Sequence, residues 1–315
     1  FPNYDDHDFA KTELDPQSLT FVRERLERFD DPFVRTLFWH SLWDMVRDRQ
    51  FTSIDYLALV REKLPHETNL ELVQTTIRNA NHAQRAYTPD DHRLAEGRAL
   101  YTLAKAELAK ADDADLRIVW ARALVAAAQE PDTIEEMLKL ASVDHMEGGT
   151  GIDGFELDQE MRWSLTIKAV SHGLSGAEAR IAQELERDPS DRGRRSAETA
   201  EVSSPDAGVK EAAWTAIHQD GQTSFHELRA KMQGIFWWHQ TELTAPYVER
   251  FFQEVAAIFD AKTPDFSSAY LAILFPHHLP NADTVTRTEA LLATLSDDDG
   301  MARRGLREAL DELQR

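Results

Sequence analysis

Residues 31–45 read DPFVRTLFWHSLWDM, and this stretch decides the fold. Asp31-Pro32 is a capping residue followed by proline in the first helical turn, where the missing N–H costs nothing. Val34, Leu37, Phe38, Leu42 and Met45 then recur at spacings of three and four, which puts them on one helical face. Trp39 and Trp43 form a second apolar stripe beside the first. A helix that is apolar on two sides packs on two sides. That belongs to the inner layer of a stack of helices.

The same grammar runs outward in both directions. Asp15-Pro16 opens a helix carrying Leu19, Val22, Leu26 and Phe29, and Thr52 or Ser53 caps one carrying Ile54, Leu57, Val60 and Leu64. Leu70, Val73, Ile77 and Ala80 mark the next, and Thr88-Pro89-Asp90 starts one that reaches Leu108. Later stripes lie at 116–127, 134–141, 161–170, 177–185, 209–217, 225–236, 247–259, 271–274, 291–295 and 306–313. Gly148, Gly149, Gly151 and Gly154 form a joint between two such series, and Gly173 ends a helix. The polar stretch 188–204, with Arg192, Arg194 and Arg195, reads as a helix with little core.

This gives about sixteen helices in pairs that recur roughly every 35 to 45 residues, the range of two-helix solenoid repeats. The expected fold is all-α: a right-handed superhelix of antiparallel helix pairs, a HEAT/armadillo-like α-solenoid. A compact irregular helical domain is the alternative. Only residues 1–14 could be extended. They are read as a junction to a preceding domain, with 15–315 as the helical-repeat domain. The chain begins at Phe1 rather than Met, which suggests a piece of a longer protein.

Composition narrows the function classes. The 56 acidic residues outnumber the 35 basic ones, so the net charge is −21. Phosphate backbones and anionic membranes repel such a chain, so neither nucleic acid nor membrane is an expected partner. Cys is absent from the 315 residues, which removes thiolate ligands, cysteine nucleophiles and disulfides. No apolar run approaches the roughly 18 residues of a membrane helix, and no signal peptide pattern precedes the first helix. A cytoplasmic location is expected.

The search for chemistry is mostly negative. His66-Glu67 and His226-Glu227 lack the second histidine four residues after the first, where Leu70 and Ala230 stand, so neither is a zinc-peptidase helix. His277-His278, between Pro276 and Pro280, reads as a turn. Gly148 to Gly151 lacks the lysine of a phosphate loop. Asp5-Asp6 and Asp297 to Asp299 read as solvated ends or caps. No residue is nominated as catalytic or metal-binding, and the substrate-binding residues stay unknown. Trp39, Trp43, Trp120, Trp163 and Trp214 read as core. Of Trp237-Trp238, one must leave the core if the segment is helical, which would make a small exposed aromatic patch.

Five segments in order carry a resemblance. They are 3–11 (NYDDHDFAK), 39–48 (WHSLWDMVRD), Gly151-Ile152-Asp153 leading into 160–163 (EMRW), 206–214 with Lys210-Glu211, and 245–252 (APYVERFF). Together they resemble the C-terminal helical domain of bacterial aminopeptidase N of the actinobacterial kind, and the resemblance spans nearly the whole chain. It implies a non-catalytic domain that caps the catalytic domain of a zinc metallopeptidase and shapes its chamber for peptides. The parent enzyme releases N-terminal amino acids. Zinc belongs to the missing catalytic domain, so no cofactor is expected in this fragment. The implied partners are that catalytic domain and peptide substrates. Neither the zinc motif nor the family's Gly-x-Met-Glu-Asn loop occurs here, so no catalytic residue carries over. Trp43, Asp44, Arg162, Trp163, Lys210 and Trp214 read as structural, with Arg162 and Lys210 needing inter-helix partners. A free-standing helical-repeat scaffold for protein–protein interaction is the alternative function.

Overall fold

The computed structural model describes residues 10–142, 157–219, 223–296 and 299–315. Among them are sixteen α-helices and no strand, so the chain is all-α. The expected glycine joint at 148–154, the segment 1–9 of the expected junction, and Asp297 and Asp298 lie outside the described residues. Residues 10–14 form neither helix nor strand. The chain divides into two compact units, with the boundary at residues 156 and 157.

The first unit contains α1 (Pro16–Arg25), α2 (Pro32–Arg47), α3 (Ser53–Lys63), α4 (Leu70–His82), α5 (Asp90–Lys110), α6 (Ala114–Ala127) and α7 (Pro131–Ser142). Asp15, Asp31, Thr52, Asn69 and Asp113 cap their helices by accepting backbone N–H groups. The two stripes of α2 find separate partners. Leu42 and Met45 are buried in the core, while Trp39 and Trp43 both meet the wholly buried Tyr56 of α3, at 6.1 and 5.8 Å between ring centres. Glu67, which fails as part of a zinc motif, is buried. Its carboxylate takes a two-pronged contact from Arg35, at 2.7 and 2.9 Å, with side chains only 4% and 13% exposed.

The second unit contains α8 (Gln159–Ser171), α9 (Ala177–Arg187), α10 (Asp191–Val202), α11 (Ala207–His218), α12 (Phe225–Ile235), α13 (Thr241–Ala261), α14 (Pro264–Leu274), α15 (Ala282–Thr294) and α16 (Gly300–Gln314). Here the reading of 188–204 as a helix with little core is overturned. In α10, Gly193, Ala197, Thr199, Ala200 and Val202 are buried, and the helix packs on α8, α9, α11 and α12. Its apolar face is made of small residues, which bury little area but let helices approach closely. A Cβ at Gly193 would stand 2.0 Å from the Asp188 carbonyl oxygen, and one at Gly234 of α12 would stand 2.7 Å from that of Thr199.

Two stability predictions follow from this packing. Arg35→Met leaves the buried Glu67 carboxylate without its cation and should cost about 3–5 kcal/mol in urea denaturation. Gly193→Ala forces Asp188 to move and should cost about 1–3 kcal/mol, whereas Gly300→Ala, with nothing within 4 Å of the added methyl, should be near neutral.

Candidate functional site

The second unit places several of the residues singled out above around one cleft. The cleft has a volume of about 330 Å³ and runs beside α8 and α10. Trp163, Ile167 and Trp237 supply its apolar lining, and Ser164 and Ser196 add hydroxyls. Glu160, Lys168 and Arg192 bring charge, with Glu160 and Arg192 joined as an exposed ion pair.

The cleft is held at its N-terminal side by Asp188. This buried carboxylate accepts the Trp163 indole N–H at 2.9 Å, the side-chain amide of Gln159 and the hydroxyl of Ser190. The hydroxyl of Ser190 contributes most to holding the Asp188 carboxyl below its ordinary range, and Trp163 and Gln159 add to it. Arg162 has the inter-helix partner its position demanded: its Nε donates to Glu184 of α9 at 2.9 Å.

At the other side, three helix ends meet. The chain leaves α8 through Gly173, in the left-handed region at φ 61°, and the N–H groups of Gly173 and Leu174 return to the carbonyls of Val170 and Ala169. That leaves the Ser171 carbonyl to outside donors. Gln240 Nε2 donates to it at 2.6 Å and to the Ser203 carbonyl at the end of α10 at 2.9 Å. Lys210, wholly buried, donates from Nζ to the Gly234 carbonyl near the end of α12 at 2.7 Å. The expected partner for Lys210 therefore exists and is a carbonyl. His239 lies flat on His172, ring centres 3.7 Å apart, and bonds the Ser171 carbonyl at 3.1 Å through Nε2.

Trp237 and Trp238 are not helical. Residues 236–240 form a turn between α12 and α13, and both indoles are half-buried. Residues 275–280 are non-helical, with His277 and His278 in a turn as expected. Sequence reasoning missed His172, Gln240 and Asp188, whose roles depend on which helix ends meet. The spacing of Gly193, Ala197 and Ala200 was the available signal for close packing by α10.

Among the described residues, no group of three or more His, Asp or Glu side chains is placed to hold a metal. The site is an open cleft with apolar, hydroxyl and charged lining. A profile of the ERAP1-like C-terminal domain family matches residues 1–315. The chain belongs to that family. It is also similar to Aminopeptidase N of Streptomyces lividans, 31% identical over 303 residues. That match covers 96% of this chain and 34% of the relative, so the chain spans about a third of the relative's length. The family resemblance read from the ordered segments is borne out. Within this ERAP1-like domain, no described helix is long and apolar enough to cross a membrane.

Lys210 yields a test of the buried helix ends. Burial pulls its ammonium down to about 7, against about 10.4 in an unfolded chain. Between these values the unfolded chain binds a proton that the folded chain does not, so stability from this group rises as pH rises from 7 to 10. Denaturation midpoints should show that rise in the natural chain, and Lys210→Met should flatten it.

Proposed function

We propose that this chain works as the non-catalytic C-terminal domain of a zinc-dependent aminopeptidase N. In this reading it caps the catalytic domain, walls the chamber that holds peptide substrates, and leaves the release of N-terminal amino acids to the other domain. The observation that carries the proposal is the pairing of a family match over residues 1–315 with a relative three times longer that is named for the peptidase activity.

The physics of the chain supports it. The acidic excess of 21 charges attracts the α-amino groups of peptides. The α8/α10 cleft, with indole and hydroxyl lining, suits contact with a peptide passing along the wall. Zinc has no fitting set of ligands among the described residues, so its place in this proposal is the catalytic domain. The proposed location is the cytoplasm.

The test is direct. The chain alone, given an aminoacyl chromogenic substrate and zinc, should show no saturable turnover. Added to a separately expressed catalytic domain from the same gene, it should form a complex in analytical ultracentrifugation and change the dependence of turnover on peptide length. Chelator-sensitive turnover by the chain alone would overturn the proposal, as would failure to associate.

A further inference from the structure

The turn at 236–240 is held by neutral histidines at both ends. At one end, His239 Nε2 faces the Ser171 carbonyl, which can only accept, so the ring proton is on Nε2. The other nitrogen, Nδ1, is buried and has no hydrogen-bond partner among the described residues. A bare lone pair is tolerable there. A proton on Nδ1 would be a buried donor with nothing to receive it.

The surroundings of His239 make that proton costlier. One face of the ring is covered by His172 at the end of α8, stacked within 7° of parallel. Lys210 of α11 adds repulsion from a further direction. These two bases are the titrating groups that act on His239, and neither can neutralise it; the Ser171 carbonyl at the end of α8 favours the charged ring but is outweighed by burial and His172. At the other end, Phe236 lies against His278, with ring centres 4.7 Å apart. His278 Nε2 is again buried without a partner among the described residues, and its titrating neighbour is another base, His277.

Between these anchors sit the two indoles. Trp237 forms part of the cleft lining, and both indoles contact His239, at 5.7 and 5.1 Å between ring centres. Gln240 is held by its amide whatever the pH, whereas residues 236–239 are fixed to the unit by rings that hold them only while uncharged.

We propose that residues 236–239 form an acid-released wall of the α8/α10 cleft, hinged on the amide-tied Gln240: protonation expels His239 from its stack on His172, and Trp237 leaves the cleft with it. The sign follows from the burial. Desolvation first, and then His172, push His239 down to about 4 when docked, against about 6.5 for a free ring. Docking is therefore complete above pH 6.5 and is lost as pH falls toward 4, with a shift in the docking equilibrium on the order of a hundredfold. His278, pushed down to about 4 chiefly by burial, weakens the second anchor over the same range. Release would widen the cleft without touching the Asp188 contacts that fix Trp163.

The chain carries its own reporter. With 5-fluorotryptophan at its seven tryptophans, the Trp237 fluorine signal can be assigned by Trp237→Phe and followed from pH 8 to pH 4.5. The expected result is a reversible shift of the Trp237 signal toward its solvent-exposed value while those of Trp120 and Trp214 stay fixed. His239→Gln keeps a donor for Ser171 but has no ring to protonate, and should suppress the shift. Should that variant fail to fold, His172→Phe keeps the stack and removes one repelling base, and should move the shift to lower pH. A stationary Trp237 signal would overturn the proposal. So would simultaneous movement of all seven signals, or a folded variant that behaves like the natural chain.

Discussion

Parallel helices laid side by side bring their negative ends together, and the second unit is built around that constraint. The C-termini of α8, α10 and α12 converge, each presenting carbonyls that its own helix cannot satisfy. Each end also carries part of a macrodipole of the same sign. Left alone, such a junction would combine repulsion with unpaired buried acceptors. The chain answers with donors from outside the three helices: the amide of Gln240, the ammonium of Lys210 and the imidazole of His239. Lys210 comes from the first turn of α11, where a cation gains nothing from its own helix dipole. Its position makes sense only as a partner for α12.

Two of these helices, α8 and α10, are tied near their beginnings by different chemistry. Asp188 gathers Gln159 and Trp163 of α8 and Ser190, which caps α10. Between the two ties, α10 presents small residues, so α8 and α12 come close to its backbone. The hydroxyl of Thr199 bonds the Ala230 carbonyl at 2.9 Å, and the Cβ missing from Gly234 leaves room for Val202. Close packing fixes the spacing of the helices and the polar ties fix their register. The cleft is what remains on the outer side of α8 and α10, where larger side chains such as Trp163 and Ile167 hold the walls apart.

How far the sequence disclosed this depends on the kind of signal. Helix starts were legible because a cap is a local event: Asp15, Asp31 and Thr52 act on N–H groups two or three residues ahead. The two-sided burial of α2 was legible because large residues mark both faces. The core of α10 was not, because hydrophobic periodicity weighs side-chain bulk, and Gly193, Ala197 and Ala200 have almost none. For Lys210 and Arg162 the need for a partner could be read from charge on an apolar face. The partner could not: Gly234 contributes only a carbonyl, which every residue has. The paired indoles at 237 and 238 were read against a helical backbone, and the turn at 236–240 changes which way each can face.

The segments that carry the family resemblance divide the labour in this domain. Trp163 is fixed to Asp188, Arg162 to Glu184 and Lys210 to Gly234. Trp214, wholly buried, donates to Glu254 at 2.9 Å with Arg250 stacked over its ring. Each of these groups bonds a neighbouring helix or connecting segment, so each sets the position of backbone. The recognisable pattern is thus a pattern of registration. In the proposed chamber role, contact with peptide would fall instead to residues that carry no motif, such as Ser164, Ile167 and Ser196, whose atoms face the cleft and which the framework holds in place. A domain arranged in this way can change what it touches by substituting cleft residues while keeping the ties that align its helices.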